Sequence, residues 1–420
     1  MFNFSKILGV VWFLWFSPTS CTTQEISLNE ALYTALKNNP ELQQANQEWK
    51  AVKAGFWETL APDHPRLFME LEGIPRASRT LNDYHEKKIG IQQGIEFPLY
   101  YYLKARQNKI DTHISRAKML HISNRISNKV KKAFYHTLTL QQQIELHQEL
   151  LLLSDEILQM TRLRVFAGDA TPYDTLKVHV DRATIENSYQ RLKQDFNIAR
   201  TELAALMGKP TAVEIIPRGD IQFSRSHFSI DTLFQIALGV HPELAAADHR
   251  LAQRSNQRWL AWSDLLPSFE LSYFQQQHQP DSENRSWGAE ISLSVPLYFL
   301  LKNQSQIRQA NANFHASQFE SSAVHNRVWV AIQSALGKLI TAEQHVYSLK
   351  TRSLIEVEEL LRIATRSYKE GEMGYLEVAE ALRSMNQIKV GYIEALYQLC
   401  AARADLELAV GTSLFKTEIK

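Results

Sequence analysis

Residues 88–104 read KIGIQQGIEFPLYYYLK, and the pattern recurs in the second half of the chain at 286–302 as SWGAEISLSVPLYFLLK. Before the proline of each copy, apolar residues alternate with polar or small ones, which is the period of a β-strand with two different faces. After the proline the pattern becomes a long helical one. Because proline cannot donate a ladder hydrogen bond, it marks the end of the strand. Each copy therefore predicts a strand that leads directly into a helix.

Several other segments of the chain also occur twice. The matching pairs are Gly90 with Gly288, residues 39–42 with 241–244, Pro65 with Pro267, and the Arg-to-Gly segments 164–168 with 366–371. The distance between copies is far longer than one solenoid unit, so the pattern predicts a duplicated half-molecule. The predicted organisation is a signal peptide at 1–20, a first repeat at 21–207, a linker at 208–229, a second repeat at 230–412 and a tail at 413–420.

The composition limits the classes of partner. Among 420 residues, 46 Lys and Arg balance 45 Asp and Glu, which gives a formal net charge of +1. Nucleic-acid binding requires a concentrated basic surface, so a nucleic-acid partner is not supported. The 15 glycines and 13 prolines are few for this length, which favours long uninterrupted helices.

The N-terminus has the pattern of a secretory signal. Lys6 precedes an apolar run at 7–16, which is too short to serve as a mature membrane anchor. Cys21 follows at the place where bacterial lipoproteins carry lipid, although Pro18 stands where such sites usually have leucine, so both outcomes stay open. No later run is long enough for a membrane helix. Entry into a membrane would therefore require a closed barrel.

The strand pairs predict the wall of such a barrel. In 66–73 and 88–97, and again in the second copy, one face is apolar and the other polar, with a polar loop between the two strands. Four strands cannot close a barrel alone, because exposed ladder edges are not tolerated in lipid. Three copies would supply all the strands of a twelve-stranded barrel, so the chain should form a homotrimer. A soluble hairpin packed on a helix is the alternative.

The remaining chain predicts long helices, so the expected fold is mainly α with a small β part. The run at 103–165 has no proline or glycine and would extend roughly 95 Å. Helices of this length must pack on each other in an elongated bundle or an oligomeric wall. The predicted helices are 28–60 with a kink at Pro40, 103–165, 173–207, 230–262, 303–369 and 375–410.

These features together resemble the TolC family of outer-membrane efflux proteins. The resemblance covers nearly the whole mature chain and rests on the order, spacing and duplication of residues 35–42, 97–99, 133–135 and 166–171. It implies a trimer with a twelve-stranded barrel in the outer membrane, continuous with a long periplasmic α-helical barrel. It also implies a passive exit duct that is surrounded by outer-membrane lipid. A periplasmic adaptor and an inner-membrane pump would dock to this duct.

The resemblance further implies two sets of site residues at the helical turns. Glu377, Glu380 and Asp174 correspond to the acidic residues that constrict the periplasmic end, whereas Lys177 breaks the acidic pattern. Carboxylates repeated around a narrow pore would favour cations, and the alternative is that they are ordinary solvent-facing helix residues. The residues expected to contact the adaptor are Phe166, Gly168, Thr171, Tyr368, Gly371 and Gly374. The geometry of αα-hairpins alone could also explain these glycines.

The sequences Glu-Leu-Glu-Gly at 70–73 in the first strand and Ala-Gly-Asp-Ala-Thr at 167–171 in the first turn look closer to the heavy-metal cation branch of the family than to its drug-export branch. Protein secretion through the same architecture and a periplasmic coiled-coil scaffold that never inserts remain alternative functions. Enzymatic activity is disfavoured, because the chain has no phosphate loop and no hydrolase or metalloprotease motif. The 14 histidines are scattered and there is no cysteine pair, so neither a metal site nor a cofactor is expected.

Overall fold

A computed structural model of the protein describes residues 24–209, 215–221, 223–278, 285–295 and 302–415. The predicted signal peptide, Cys21 and the second proline junction at 296–301 lie outside these residues. So do parts of the predicted linker and tail.

Long helices dominate the structure. They are α1 Leu28–Asn38, α2 Pro40–Ala54, α3 Pro98–Ala167, α4 Pro172–Leu206, α5 Ile230–Val240, α6 Pro242–Ser263, α7 Lys302–Ser348, α8 Leu354–Glu370 and α9 Tyr375–Val410. At 70 residues, α3 extends roughly 105 Å. A π-helical turn, Leu349–Ser353, separates α7 from α8. Within the described ranges, none of the helices has both the length and the apolar character needed to cross a membrane.

The first predicted helix, 28–60, is wrong in two respects. Its α-helical part ends at Ala54 and is followed by a 3-10 turn at Trp57–Leu60, and the chain is broken at Pro40 and not kinked there. Asn39 has an extended backbone (φ −62°, ψ 124°), and its side chain accepts hydrogen bonds from the backbone N–H groups of Glu41 and Leu42. Proline has no N–H to give and disfavours a helical residue before it, so Pro40 begins α2. The same break occurs between α5 and α6 at His241, which caps α6 through its Nδ1 atom.

The four predicted hairpin strands are confirmed and form one antiparallel sheet. They are β2 Arg66–Glu72, β3 Glu86–Ile95, β5 Ser268–His278 and β6 Arg285–Ser294, in the order β2-β3-β5-β6. Two further strands, β1 Gln24–Ile26 and β4 Ile215–Pro217, pair in parallel. β4 lies within the predicted linker at 208–229, whose sequence shows little helical pattern. The β1–β4 pair was not predicted, because strands of three residues are too short to show the alternation of apolar and polar residues that indicates a strand.

The two faces of the sheet differ as the sequence predicts. The apolar face is open, with Leu67 85% and Ile291 76% exposed. Along β5 the residues of the polar face, such as Glu270 and Ser272, are half-buried, whereas Leu271 on the apolar face is exposed. The apolar face is therefore a large hydrophobic surface that the described residues of one chain leave uncovered.

Two hydrophobic cores hold the helices together. The larger core lies where the long helices meet the β1–β4 pair, and it includes Phe134, Leu233 and Ile332. Cys400 is part of it, and burial raises the pKa of its thiol to about 12. A second core, around Leu150 and Val378, lies near the turns that join α3 to α4 and α8 to α9. The second core fixes the position of the candidate site.

Candidate functional site: the paired helical turns

Two tight turns end the helical hairpins, and both depend on a left-handed glycine. Gly168 follows α3 with φ 84°, and Gly371 follows α8 with φ 83°. The next amide of each turn returns to the helix, from Asp169 to the Arg164 carbonyl at 2.8 Å and from Glu372 to the Ser367 carbonyl at 2.9 Å. This is the glycine C-cap arrangement, which other residues adopt only with strain. The turn geometry of the two helical hairpins thus requires glycine at positions 168 and 371.

Asp174 and Thr171 lie at the start of α4 and are bonded to each other. The Asp174 carboxylate accepts from the Thr171 backbone N–H and from the Thr171 hydroxyl, each at 2.9 Å. Together they form a capping box, which satisfies donors that the first turn of a helix leaves open. In one chain this carboxylate is therefore engaged in local capping.

Glu377 and Glu380 lie on the first turns of α9, and both are exposed. Their spacing of three places them on neighbouring positions of one helix face. Glu380 forms an ion pair with Arg383, in which Oε2 lies 3.5 Å from Nη1. The N-cap of α9 is Gly374, three residues before Glu377. The start of α9 thus presents two carboxylates to solvent.

The six residues expected to contact an adaptor differ widely in exposure. Phe166 is 94% exposed, whereas Tyr368 is 1% exposed. The Tyr368 hydroxyl lies 2.8 Å from Oγ1 of buried Thr161. The side chain of Tyr368 therefore supports the turn from inside and does not form its outer surface. Gly168, Thr171, Gly371 and Gly374 are placed at the turns themselves.

Arg164 joins the two turns. Its Nη1 atom donates to the carbonyls of Tyr368 at 2.9 Å and Met373 at 3.1 Å, and its Nη2 atom donates to the Asp169 carbonyl at 3.2 Å. Its guanidinium also lies 4.5 Å from the centre of the Tyr368 ring. The sequence singled out Arg164 only as part of a repeated segment. Its role in joining the turns was missed because Tyr368 and Met373 are about two hundred positions away in the sequence.

We expect Arg164→Lys to loosen the second turn. Hydrogen bonds to charged groups contribute about 1.5–3 kcal/mol, and an ammonium cannot reproduce the planar fork, so local opening should become about tenfold more frequent. Hydrogen–deuterium exchange of the segment 366–375 would measure this. Arg366 is the matched control, since it occupies the repeated position and pairs with Glu370 of its own helix at 3.0 Å. Equal exchange in both variants would contradict the assigned role.

A polar cluster around Asp181 connects α4 to α9. The carboxylate accepts from the Tyr375 hydroxyl at 3.0 Å, from Lys177 at 3.2 Å and from Arg383 at 3.2 Å. Burial raises the pKa of the Asp181 carboxyl, but the hydrogen bonds from Tyr375, Lys177 and Arg383 outweigh burial, so its pKa lies below the usual value. Burial, and then Asp181 itself, raise the pKa of Tyr375. Asp181 therefore stays ionised at neutral pH and holds both helices.

One contact of this cluster follows from residue spacing alone. Lys177 was noted as an exception to the acidic pattern, and its spacing of four from Asp181 is that of a helical ion pair. Arg383 and Tyr375 lie in the other half of the chain, so periodicity could not associate them with it. Within the part of the chain that the structure describes, no group of three or more His, Cys, Asp and Glu side chains is arranged to hold a metal ion.

Sequence comparison identifies a family over most of the chain. The family described as "Outer membrane efflux protein" matches residues 31–209 and 233–412. Among curated relatives, the cobalt-zinc-cadmium resistance protein CzcC of Cupriavidus metallidurans is 23% identical over 388 residues, which cover 92% of this chain and 90% of the relative. Nodulation protein T of Rhizobium leguminosarum bv. viciae is 24% identical over 422 residues.

Solved structures agree with the fold. The outer-membrane channel OprN superposes with a TM-score of 0.78 at 19% identity, over 91% of this chain and 89% of that one. The outer membrane protein VceC of Vibrio cholerae gives a TM-score of 0.76 at 16% identity, over 92% and 96% of the two chains. The arrangement of long helices and four strands is therefore the TolC-like fold.

Proposed function

Because the chain belongs to the outer membrane efflux protein family, whose members work with an adaptor and an inner-membrane pump, we propose that it is the passive exit duct of such a tripartite system. Family and fold are those of channels located in the outer membrane and extending into the periplasm. The observation that carries the proposal is the exposed apolar face of the sheet beside the helix α3, which is roughly 105 Å long. A soluble scaffold has no use for this face.

The proposed duct is a homotrimer embedded in outer-membrane lipid. The edge strands β2 and β6 have unpaired ladder groups in one chain, and such edges must pair before a sheet can enter lipid. Three sheets joined edge to edge supply twelve strands, with the apolar face toward lipid and the polar face toward the lumen. The long helices then line the periplasmic part of the duct.

The periplasmic end of the proposed duct carries the acidic constriction. Glu377 and Glu380 are exposed near the turns in one chain, so they are available to face a central axis in three. Asp174 lies at the same end but caps α4, so we assign it a smaller part in selecting ions. Exposed turn residues such as Phe166 then form the surface for the adaptor.

We propose heavy-metal cations as the exported solutes. The name of the CzcC relative refers to cobalt, zinc and cadmium resistance, and an acidic constriction favours cations. The test is the metal content of a strain that lacks this chain, before and after its gene is restored. Accumulation of these metals that the gene reverses would support the assignment. Unchanged metal content with accumulation of drugs, or with loss of protein secretion, would favour the other duct functions.

Replacing both Glu377 and Glu380 with alanine should reduce the cation preference of the pore. Removing two carboxylates per chain removes a ring of negative charge from the narrow end, so the reversal potential in a salt gradient should move toward zero. Glu356→Ala is the matched control, since this exposed carboxylate lies on α8 away from the turn and pairs with Arg352 at 2.9 Å. An unchanged reversal potential in the double variant would refute the assignment of these two residues.

A further inference from the structure

Each hairpin of the sheet contains a phenylalanine directly opposite a glycine. Phe68 of β2 is paired with Gly90 of β3, and Phe274 of β5 is paired with Gly288 of β6. Because Gly90 is also paired with Phe274, the four residues form one continuous row across the sheet. The repeated glycines that the sequence singled out are thus explained by their partners and not by a turn.

This row interrupts the polar face of the sheet. Residues two positions away along the strands are polar, including Glu70, Gln92, Ser272 and Glu290. Side chains two positions apart share a face, so the two phenylalanines lie on the face assigned above to the lumen. The rings of Phe68 and Phe274 are 6.5 Å apart at an interplanar angle of 61°. An aromatic row on a water-facing wall calls for a specific explanation.

The ring of Phe274 leans over Gly288 and occupies the space that a side chain there would need. A Cβ atom added at Gly288 would lie 2.6 Å from Cζ and 2.7 Å from Cε2 of Phe274. A Cβ atom at Gly90 would lie 2.6 Å from the Phe274 Cβ atom and 2.5 Å from the Tyr273 carbonyl oxygen. A glycine within a strand commonly marks such a close approach. The ring therefore lies along the wall because position 288 is empty.

Gly94 shows that the glycines of this face are not equivalent. It is on the same strand and face as Gly90, yet a Cβ atom added there would lie more than 4 Å from every other described residue that could obstruct it. A larger residue at position 94 would add its own volume only. A larger residue at position 288 would also displace a phenyl ring.

We propose that Gly288 and Phe274 together set the width of the lumen at this level of the sheet. Without a side chain at 288, the ring lies against the wall and the passage stays open. With one, the ring must rotate away from the wall, and on this face of a closed assembly a ring turned off the wall projects into the lumen. The inference rests on the proposed duct, in which three copies would bring three such rings to one level.

The test is single-channel conductance of the full-length protein in potassium chloride, with four variants. Gly288→Val should lower the conductance by up to about twofold, because the narrowed level of the sheet adds its resistance to that of the acidic constriction in series. The double variant Gly288→Val with Phe274→Ala should restore it, since no ring remains to be displaced. Gly94→Val is the matched control, and adding Phe274→Ala to it should leave its conductance unchanged.

The outcomes separate the inference from the proposed function. A Gly288→Val conductance equal to that of the unaltered protein would overturn the inference, as would a reduction that Phe274→Ala does not relieve. If Gly288→Val fails to assemble, recovery of assembly by Phe274→Ala supports the steric conflict and absence of recovery contradicts it. Failure of the unaltered protein to form any pore would instead remove the proposed duct.

Discussion

Ile291→Arg should remove the protein from the outer membrane. Ile291 is 76% exposed on the apolar face and is paired with Leu271 in the β5–β6 hairpin. Arginine on the lipid face of a barrel costs about 2–4 kcal/mol at the centre of the bilayer, and a trimer would incur this cost three times. We expect almost no heat-modifiable trimer in the outer-membrane fraction, measured by immunoblotting after fractionation.

Ser292→Arg is the control for this experiment. Ser292 is the next residue of β6 and lies on the polar face opposite Glu270, which can pair with a new positive charge. The same side chain one position away should therefore leave insertion intact. Normal insertion of Ile291→Arg, or equal failure of both variants, would contradict the assignment of the two faces.

Asp181→Ala should open the periplasmic end of the duct. The substitution removes the carboxylate that accepts hydrogen bonds from Tyr375, Lys177 and Arg383. A half-buried cluster of donors remains, in which the positive charges of Lys177 and Arg383 lose this partner. Losing one member of such a network costs about 1–3 kcal/mol or more. We expect a higher conductance at neutral pH. Asp155→Ala is the control, because Asp155 pairs with Arg182 at 2.6 Å and joins α3 to α4 within one hairpin.

The same link predicts how the unaltered protein responds to pH. The pKa of Asp181 is lowered in the folded chain, so the link is fully present above the ordinary carboxyl pKa of about 3.9 and is lost only as pH falls through the lowered value. Conductance should stay constant from neutral to mildly acidic pH and rise only in strong acid. Asp181→Asn should already be open at neutral pH and should lose this rise. A rise of conductance near neutral pH in the unaltered protein would point to a different group.

The periodic features of the chain were predictable, and the contacts between its halves were not. The alternation of apolar and polar residues in 66–73 and 88–97 predicted both strands and their two faces. The prediction of faces is firm because a shift of one residue in strand pairing would move all the apolar side chains to the opposite face of the sheet. Gly168 and Gly371 were found because a left-handed turn favours glycine. The end of the first helix at position 39 was predicted wrongly. The apolar pattern continues past Pro40, so it predicted a kink within one helix, whereas Pro40 is the first residue of a new helix.

The candidate site shows the same division. Sequence patterns and the family resemblance placed Glu377, Glu380 and Phe166 at an exposed end. They could not show that Asp174 caps its own helix or that the Tyr368 ring is buried, since both facts depend on side-chain geometry. Arg164 was missed because its carbonyl partners are backbone groups, which carry no residue-specific signal.

The proposed duct consists of three copies of this chain that form a cation-preferring passage through the outer membrane. The most direct measurement is single-channel recording in a planar bilayer of the detergent-extracted protein, with its oligomeric mass determined beforehand. We expect a trimer whose pores prefer cations. A well-folded monomer that needs no detergent and forms no pores would contradict it.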